Sequence, residues 1–181
     1  PPAAGDAHSR SLLLFPASLE KLLGLGLAIR IVTQIYDVQP GSPVSTFVMI
    51  VGAVTLFIGV AMALIQKDMK KLLSYHAISQ VGYMILGVGS ALPIGIVGAL
   101  FHMINHVLYK SGLFLTAGAR EKRTGTTDLK RISGLGKFLP VTAACFVVFG
   151  LAISGFPGLN GFFSKELVFD AALESNVTFY I

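Results

Sequence analysis

The segment VSTFVMIVGAVTLFIGVAMALI, residues 44–65, decides the fold class of this 181-residue chain. It contains no charged side chain, and about 20 apolar residues are what an α-helix needs to cross the roughly 30 Å hydrocarbon core of a bilayer. The rest of the chain has a similar character, since 54% of all residues are hydrophobic and 13% are charged. A soluble domain carries roughly 25% charged residues, and a disordered chain is poorer in aliphatic residues. The sequence therefore predicts an all-α integral membrane protein.

Apolar segments on both sides of this one bring the predicted number of transmembrane helices to about five. The segment before it is interrupted by Glu20, Lys21 and Arg30, whereas the three segments after it are interrupted less. The predicted spans cover about residues 17–36, 44–65, 72–90, 94–117 and 138–155. We therefore expect a polar N-terminal segment at 1–16 and a membrane domain at 17–181. The chain does not begin with Met, and we expect it to be processed or to be part of something longer.

A cluster of helix-breaking residues follows the fifth span. Gly155-Phe156-Pro157-Gly158 should interrupt a helix, because proline lacks the amide hydrogen that a helix requires. The amphipathic stretch 161–181 is then the second half of a broken helix. The alternative is that the span simply ends at the membrane surface, since an unbroken helix from Pro140 to Lys165 would run about 37 Å.

Two loops carry most of the basic residues. The loops at 66–72 and 119–137 contain nine of the fourteen Lys and Arg residues of the chain, whereas the loops at 37–43 and 91–93 contain none. If the spans alternate in direction, both basic loops lie on one side of the membrane. The positive-inside rule places that side in the cytoplasm. The sequence pI of about 9.5 therefore indicates membrane-flanking loops that meet lipid headgroups, and it gives no reason to expect nucleic-acid binding.

The fourth span contains three ionisable residues where an apolar sequence is expected. His102, His106 and Lys110 follow one another at intervals of four residues, so they drift only about 80° around a helix and climb about 12 Å along it. Lys110 lies about nine residues from the basic loop, roughly 13 Å deep. Such residues are expensive in a membrane and usually mark an ion pathway, and histidine gains and loses protons near neutral pH.

Other interpretations of the same three residues stay open. The histidines can instead bond to a neighbouring helix, and Lys110 can pair with a carboxylate on another subunit. Histidines four residues apart can also bind zinc, although no third ligand is evident in the sequence. The favoured interpretation is a proton relay.

Further charged candidates lie near the broken helix and in the first span. Lys165 and Glu166 follow the Gly155–Gly158 break, and many transporters place an ion site where a helix is broken in mid-membrane. Lys21 lies inside the first span, where a lysine can also extend its ammonium group to the membrane surface. All three are candidate members of the relay.

The sequence lacks the motifs of a chemical active site. The single cysteine, Cys145, excludes a disulfide framework and a cysteine-ligated metal or iron–sulfur site held by this chain alone. The glycine-rich runs match no nucleotide-binding pattern, and no Ser-His-Asp or paired-carboxylate arrangement suggests hydrolysis. We therefore expect an ion conduit with no cofactor and no metal of its own.

Several motifs together resemble one family. They are ALIQKDMKKLLSY at 63–75, ISQVGYM at 78–84, HMINHVLYKSGLFL at 102–115 and GFFSKE at 161–166. These motifs resemble the antiporter-like subunits of respiratory complex I, of membrane-bound hydrogenases and of multisubunit cation/proton antiporters. The resemblance covers about residues 22–170 and is specific, because the motifs occur in the family's order.

The resemblance implies a role for each candidate lysine and histidine. The family contains two inverted helix repeats, each with a broken helix and a buried lysine, and this chain resembles the second repeat. Lys110 matches the central lysine, His102 and His106 the histidines that precede it, and Lys165 the exit-side lysine at the broken helix. Lys21 resembles the lysine that connects the two half-channels, although its surroundings match less well. The family's first half, with its glutamate–lysine pair, and its last helix have no counterpart here.

The resemblance also implies a function and partners. It predicts translocation of protons, or Na⁺/H⁺ exchange, through the membrane arm of a redox-driven complex such as NADH:quinone oxidoreductase or membrane-bound hydrogenase. The partners would be other membrane subunits and a peripheral redox arm with iron–sulfur, flavin or nickel–iron centres, in a bacterial or archaeal plasma membrane or an organellar inner membrane. The alternatives are a multisubunit cation/proton antiporter without redox partners, and a structural membrane anchor.

Overall fold

The computed structural model of the chain describes residues 20–131 and 135–175, and it describes side chains at 23–130 and 136–175. Within these ranges the chain is almost entirely helical. The α-helices are α1 (Glu20–Arg30), α2 (Pro43–Leu64), α3 (Met69–Gly89), α4 (Pro93–Thr124), α5 (Pro140–Ser154) and α6 (Asn160–Ser175). One π-helical turn, Ile31–Ile35, continues α1, and short 3₁₀ turns lie at Leu129–Arg131 and Leu135–Lys137.

Local signals explain where several helices begin and end. Ser42 and Asp68 cap α2 and α3, each accepting a hydrogen bond from the backbone amide three residues later. Proline occupies the first position of α2, α4 and α5, where its missing amide hydrogen leaves no helical bond unmade. Gly125 ends α4 with a φ of +68°, the left-handed conformation that glycine adopts most readily.

Helix α4 extends further than the predicted fourth span. It ends at Thr124 rather than near residue 117, and its 32 residues run about 48 Å. The reason is that Ala119 to Thr124 contains alanine, arginine, glutamate and lysine, which are good helix formers, and no breaker occurs before Gly125. The first part of the predicted basic loop is therefore helical. Lys70 and Lys71 likewise belong to the first turn of α3.

Among the described residues, α2 is the one helix that is long and apolar enough to cross a membrane on its own composition. The segments Leu23–Ile35 and Pro140–Ser154 are apolar but shorter. Helices α3 and α4 are long enough but carry buried polar side chains, which lower their average hydropathy. The number of five spans therefore stays a prediction.

Glycines allow α2 and α3 to pack closely. Gly52 of α2 and Gly82 of α3 face each other, and Gly59, about two turns after Gly52 on α2, faces the backbone of Ser79. Because lipid tails are as apolar as leucine, membrane helices associate through such close packing of small residues rather than through the hydrophobic effect. This α2–α3 pair lies on one side of the bundle.

Substituting valine for Gly82 is expected to destabilise this helix pair. A Cβ at Gly82 would lie 2.8 Å from the Cα atom of Leu56 and 2.7 Å from the carbonyl oxygen of Gly52, both rigid backbone atoms. We expect a loss of about 1–3 kcal/mol, measured as a lower midpoint of thermal denaturation in detergent. Gly150→Val is the matched control, since nothing lies within 4 Å of a Cβ there. Equal midpoints for the two variants would contradict this packing.

The two halves of the broken helix lie end to end along α4. Gly112 of α4 faces the ring of Phe149 in α5, whereas Gly98 and Gly95 face Leu167 and Ala171 of α6. Helices α5 and α6 therefore run antiparallel to α4, one after the other. The break between them contains Gly155 and Gly158, both with positive φ. The predicted interruption at Gly155–Gly158 is confirmed, and it lies beside the middle of α4 rather than beyond its end.

The outside of the bundle is apolar and its interior is partly polar. Large apolar side chains such as Phe47 and Phe57 of α2 and Val141 of α5 are exposed. Histidine, glutamine and lysine side chains are buried between the helices. This distribution is the reverse of that in a water-soluble protein and is typical of a helix bundle that faces lipid.

The two basic loops meet at one end of the bundle. The ammonium group of Lys70 lies 2.8 Å from a carboxylate oxygen of Glu121. The backbone amide of Leu129 donates to the carbonyl of Lys67, and that of Met69 donates to the carbonyl of Thr127. Both loops therefore lie on the same side, as the alternation of spans requires; that this side is cytoplasmic stays a prediction.

Candidate functional site

The ionisable face of α4 points into the bundle. His102 and His106 are fully buried, and Lys110 is 1% exposed. The structure thus brings together on one inward face the three residues that the four-residue spacing places there. Helices α3, α5 and α6 pack against this part of α4 and separate it from the apolar outer surface.

Both ring nitrogens of His102 have partners on other helices. Nδ1 lies 2.9 Å from the hydroxyl oxygen of Ser164 in α6, and Nε2 lies 3.1 Å from the side-chain oxygen of Gln80 in α3. The hydroxyl of Tyr109 donates to the same oxygen of Gln80 over 3.4 Å. Gln80 therefore connects His102 with Tyr109, about two helical turns further along α4.

Rings and an ammonium group continue the cluster toward the basic end. The ring centroid of His106 lies 6.5 Å from that of His102 and 5.5 Å from that of Tyr109. The Nζ atom of Lys110 lies 5.8 Å from the ring centroid of Phe114, within range of a cation–π interaction. The polar file on α4 thus reaches from His102 to Lys110.

Lys165 lies at the break of the helix. Its Nζ atom donates a 2.7 Å hydrogen bond to the carbonyl oxygen of Ile153, in the last turn of α5. The end of α5 carries partial negative charge because its last carbonyls lack helical partners, so it favours a cation there. The half-buried Lys165 therefore reaches from α6 to the last turn of α5, on the other side of the break.

Tyr83 of α3 lies between His102 and Lys165. Its ring centroid is 5.5 Å from that of His102 and 5.0 Å from the Nζ atom of Lys165. Its ring also makes an edge contact with the ring of Phe169 on α6, with 5.7 Å between the centroids. Tyr83 thus connects the histidine of α4 with the lysine of the broken helix.

A pair of asparagines holds the break against α4. The amide of Asn105 donates to the backbone carbonyl of Asn160, and the amide of Asn160 donates back to the side-chain oxygen of Asn105, over 3.1 and 3.0 Å. Each bond satisfies a polar group that the apolar surroundings would otherwise leave unmatched. The start of α6, and with it Ser164 and Lys165, is therefore positioned relative to His102.

Two sequence-predicted relay residues are not part of this cluster. Glu166 is exposed on α6, about 100° around the helix from Lys165, and the structure does not bring it to the buried side chains. The side chain of Lys21 lies outside the described residues. Its helix α1 packs on α3 and α4, where Leu25 of α1 and Val32 of the following π-helical turn belong to a buried cluster with Met84 and Met103.

The described residues show no group of three or more His, Cys, Asp or Glu side chains that could hold a metal ion. Moreover, the serine and glutamine already engage both nitrogens of His102.

Sequence reasoning missed four polar residues of the cluster, namely Gln80, Tyr83, Tyr109 and Ser164. Two of them, Gln80 and Tyr83, lie in the ISQVGYM motif and Ser164 in GFFSKE, so the motifs contained the signal. The indication available was a glutamine within an apolar helix, which must find a hydrogen-bond partner when buried.

Comparison with known protein families gives the context for this geometry. The family model described as "NADH:quinone oxidoreductase/Mrp antiporter, TM" matches residues 2–181. The chain belongs to this family. The resemblance found in the motifs is thereby confirmed, and with it the assignment to the all-helical membrane proteins.

Individual relatives agree with the family assignment. A Na(+)/H(+) antiporter subunit of Alkalihalophilus pseudofirmus is 42% identical over 177 residues, which cover 97% of this chain and 34% of that protein. The Mrp complex from a Dietzia species matches with a TM-score of 0.89 and 31% identity, over 96% of this chain and 32% of that one. Respiratory complex I from Thermus thermophilus matches with a TM-score of 0.76 and 30% identity, over 91% and 36%. The chain spans about a third of the length of these relatives.

Proposed function

We propose that this chain forms one proton half-channel of an antiporter-like membrane subunit. The observation that supports the proposal is the file of polar side chains that runs from the buried Lys110, His106 and His102 to the half-buried Lys165. Ionisable groups in a membrane interior are expensive to bury and are usually functional. The family of the chain includes proteins named as Na⁺/H⁺ antiporter subunits.

In the proposed path a proton enters from the basic end and reaches Lys110 first. It passes to His106 and His102, which lie about 6 and 12 Å further along α4 at 1.5 Å per residue. Lys165 receives it at the break and releases it toward the opposite side. Because like charges repel strongly in a low dielectric, a proton that arrives at one group favours the departure of the proton ahead of it.

Lys21 is proposed to transmit the charge state of a neighbouring half-channel. The support for this role is its place on α1, which packs against the helices that carry the polar file. The membrane side that carries the basic loops is proposed to be the cytoplasmic one.

A cation/proton antiporter without redox partners is one system in which such a half-channel would work. The matches to the Alkalihalophilus antiporter protein and to the Mrp complex support it, and each covers nearly the whole chain. The redox-driven alternative is supported by the match to complex I; there the chain would work with other membrane subunits and a peripheral arm that carries flavin, iron–sulfur or nickel–iron centres. A purely structural anchor would conduct no protons.

One reconstitution separates these systems. The full-length protein is purified with its native complex, placed in proteoliposomes containing a pH-sensitive dye, and exposed to an imposed Na⁺ gradient. Proton movement driven by the gradient supports the antiporter. Proton movement that instead requires an electron donor, with flavin, nickel or iron in the sample, supports the redox-driven pump. No proton movement under either condition, in an assembled complex, overturns the proposal.

His106→Phe is expected to slow proton movement about 100-fold in this assay. Phenylalanine keeps the size and flatness of the ring but cannot carry a proton, and positioned proton-transfer groups contribute roughly 10²–10⁴-fold to a rate. Ile104→Phe, on the exposed side of the same helix, is the control and should keep the wild-type rate. A wild-type rate in His106→Phe would remove this histidine from the path.

A further inference from the structure

Each ring nitrogen of His102 is held by a side chain from a different helix. Gln80 of α3 holds Nε2, and Ser164 of α6 holds Nδ1. Gln80 is 2% exposed and Ser164 is fully buried. An arrangement that engages both nitrogens at once restricts which of them can exchange a proton.

The side-chain oxygen of Gln80 determines which tautomer neutral His102 adopts. A side-chain amide oxygen can only accept, so Nε2 of His102 must be the donor in the 3.1 Å bond. The hydroxyl of Tyr109 supplies a second donor to the same oxygen, which leaves both of its lone pairs engaged. In neutral His102, Nε2 therefore carries the hydrogen and Nδ1 carries the free lone pair.

The hydroxyl of Ser164 has two acceptors within reach. Its oxygen lies 2.9 Å from Nδ1 of His102 and 3.2 Å from the backbone carbonyl oxygen of Gly161. A hydroxyl has one hydrogen and two lone pairs. It can therefore donate to Nδ1 when His102 is neutral, or donate to Gly161 and accept from Nδ1–H when His102 is protonated.

We propose that Gln80 and Ser164 are positioning residues of the proton path. Gln80 keeps the hydrogen of His102 on Nε2 and so makes Nδ1 the exchanging atom, while the Ser164 hydroxyl turns between Nδ1 and the Gly161 carbonyl as His102 loses and gains its second proton. This inference rests on the proposed function, because it names the groups that allow one residue of that path to change charge.

The two orientations of the Ser164 hydroxyl lower the free-energy cost of protonating the buried His102. In either state every hydrogen of the imidazole has an acceptor, and in the neutral state the lone pair of Nδ1 has a donor. Leaving a buried charged donor without an acceptor would cost more than a neutral hydrogen bond contributes. Ser164 also precedes Lys165 directly on α6, so the residue that adjusts to the charge of His102 lies beside the proposed exit lysine.

The test is ¹⁵N solid-state NMR of the histidine-labelled full-length protein within its complex in lipid. The signals of His102 are identified by their loss in His102→Phe, and ¹⁵N shifts distinguish the two neutral tautomers. We expect wild-type neutral His102 to carry hydrogen on Nε2. Gln80→Leu, which is similar in size but accepts no hydrogen bond, should shift the hydrogen to Nδ1. A wild-type hydrogen on Nδ1, or an unchanged tautomer in Gln80→Leu, would overturn the inference.

Transport measurements test the serine. Ser164→Ala should reduce the proton translocation rate roughly tenfold, the effect of losing one hydrogen bond to a charged group. Ser164→Thr keeps the hydroxyl and should retain most of the rate. Ser74→Ala is the matched control, because Ser74 is also buried but bonds within its own helix, to the carbonyl of Lys70. Equal rates in the two alanine variants would contradict the role of Ser164.

The outcomes separate this inference from the function on which it rests. If His102→Phe translocates protons normally, His102 is not part of the path and the proposed function must be revised, whatever the tautomer is. If His102→Phe is slow but the tautomer or the alanine variants disagree with expectation, the proton path stands and only the roles of Gln80 and Ser164 fail.

Discussion

Replacing Lys110 by alanine is expected to lower the rate of proton translocation about 100-fold or more, while the complex still assembles. Lys110 is the ionisable group of the file that lies nearest the basic end, and alanine leaves nothing there to carry a proton. A positioned proton-transfer group contributes at least roughly 10²-fold to a rate. The measurement is dye-detected proton movement into proteoliposomes that contain the full complex.

Assembly should survive because alanine introduces no charge, polar group or bulk into the bundle. The change leaves a cavity near Phe114. Lys110→Met fills most of that cavity and should be equally inactive, so a shared loss of rate cannot come from poor packing. Lys122→Ala, exposed near the end of the same helix, is the control and should keep the wild-type rate.

Near-normal proton movement in Lys110→Ala, with assembly verified by the yield of intact complex, would overturn the proposed path. The same assay distinguishes a carrier from a fixed charge. Arginine keeps a positive charge but does not release its proton in proteins, so Lys110→Arg should be as inactive as the alanine variant. A functional arginine variant would mean that Lys110 acts through its charge alone.

The inward face of α4 was predictable from the sequence because it depends on helix geometry alone. His102, His106 and Lys110 are four residues apart, and any regular helix places them together. The break at Gly155–Gly158 was predictable for a similar reason, since glycine and proline act on their own backbone. Both features depend on the local sequence alone, and the structure agrees with the prediction in both.

The partners of His102 were not predictable in the same way. Gln80 and Ser164 lie 22 and 62 residues away along the chain, so their meeting with His102 depends on how α3, α4 and α6 dock. The depth of Lys165 likewise depends on docking, in which the mutual bonds of Asn105 and Asn160 hold the start of α6 beside the middle of α4. Spacing alone left open whether Lys165 lies at the membrane surface.

The end of α4 shows a third kind of difference. Hydropathy predicted a span that stops near residue 117, whereas the helix continues to Thr124. Hydropathy predicts where the apolar segment of a chain ends, but a helix can continue through polar residues until a helix-breaking residue terminates it. Gly125 does so here, and the extra two turns bring Glu121 to Lys70 and join the two basic loops.

Lys165→Met is expected to reduce proton translocation about 100-fold, as Lys110→Ala does, but at the other end of the file. Methionine is close to the lysine side chain in length and carries no proton, so a proton on His102 has no acceptor beyond Tyr83. The carbonyl of Ile153 loses its donor, which should cost about 1 kcal/mol of stability and leave assembly intact. Lys137→Met, an exposed lysine, is the control.

Lys165→Arg decides between two roles that Lys165→Met cannot separate. In the first role, Lys165 is a carrier that passes protons on. In the second, it is a fixed cation that binds the last carbonyls of α5 and so stabilises the break between α5 and α6. Arginine preserves the charge and the ability to donate to Ile153, but it retains its proton. A carrier predicts that Lys165→Arg assembles and is as slow as Lys165→Met; a rate close to that of the wild type would assign Lys165 to the structure of the break and require another exit group.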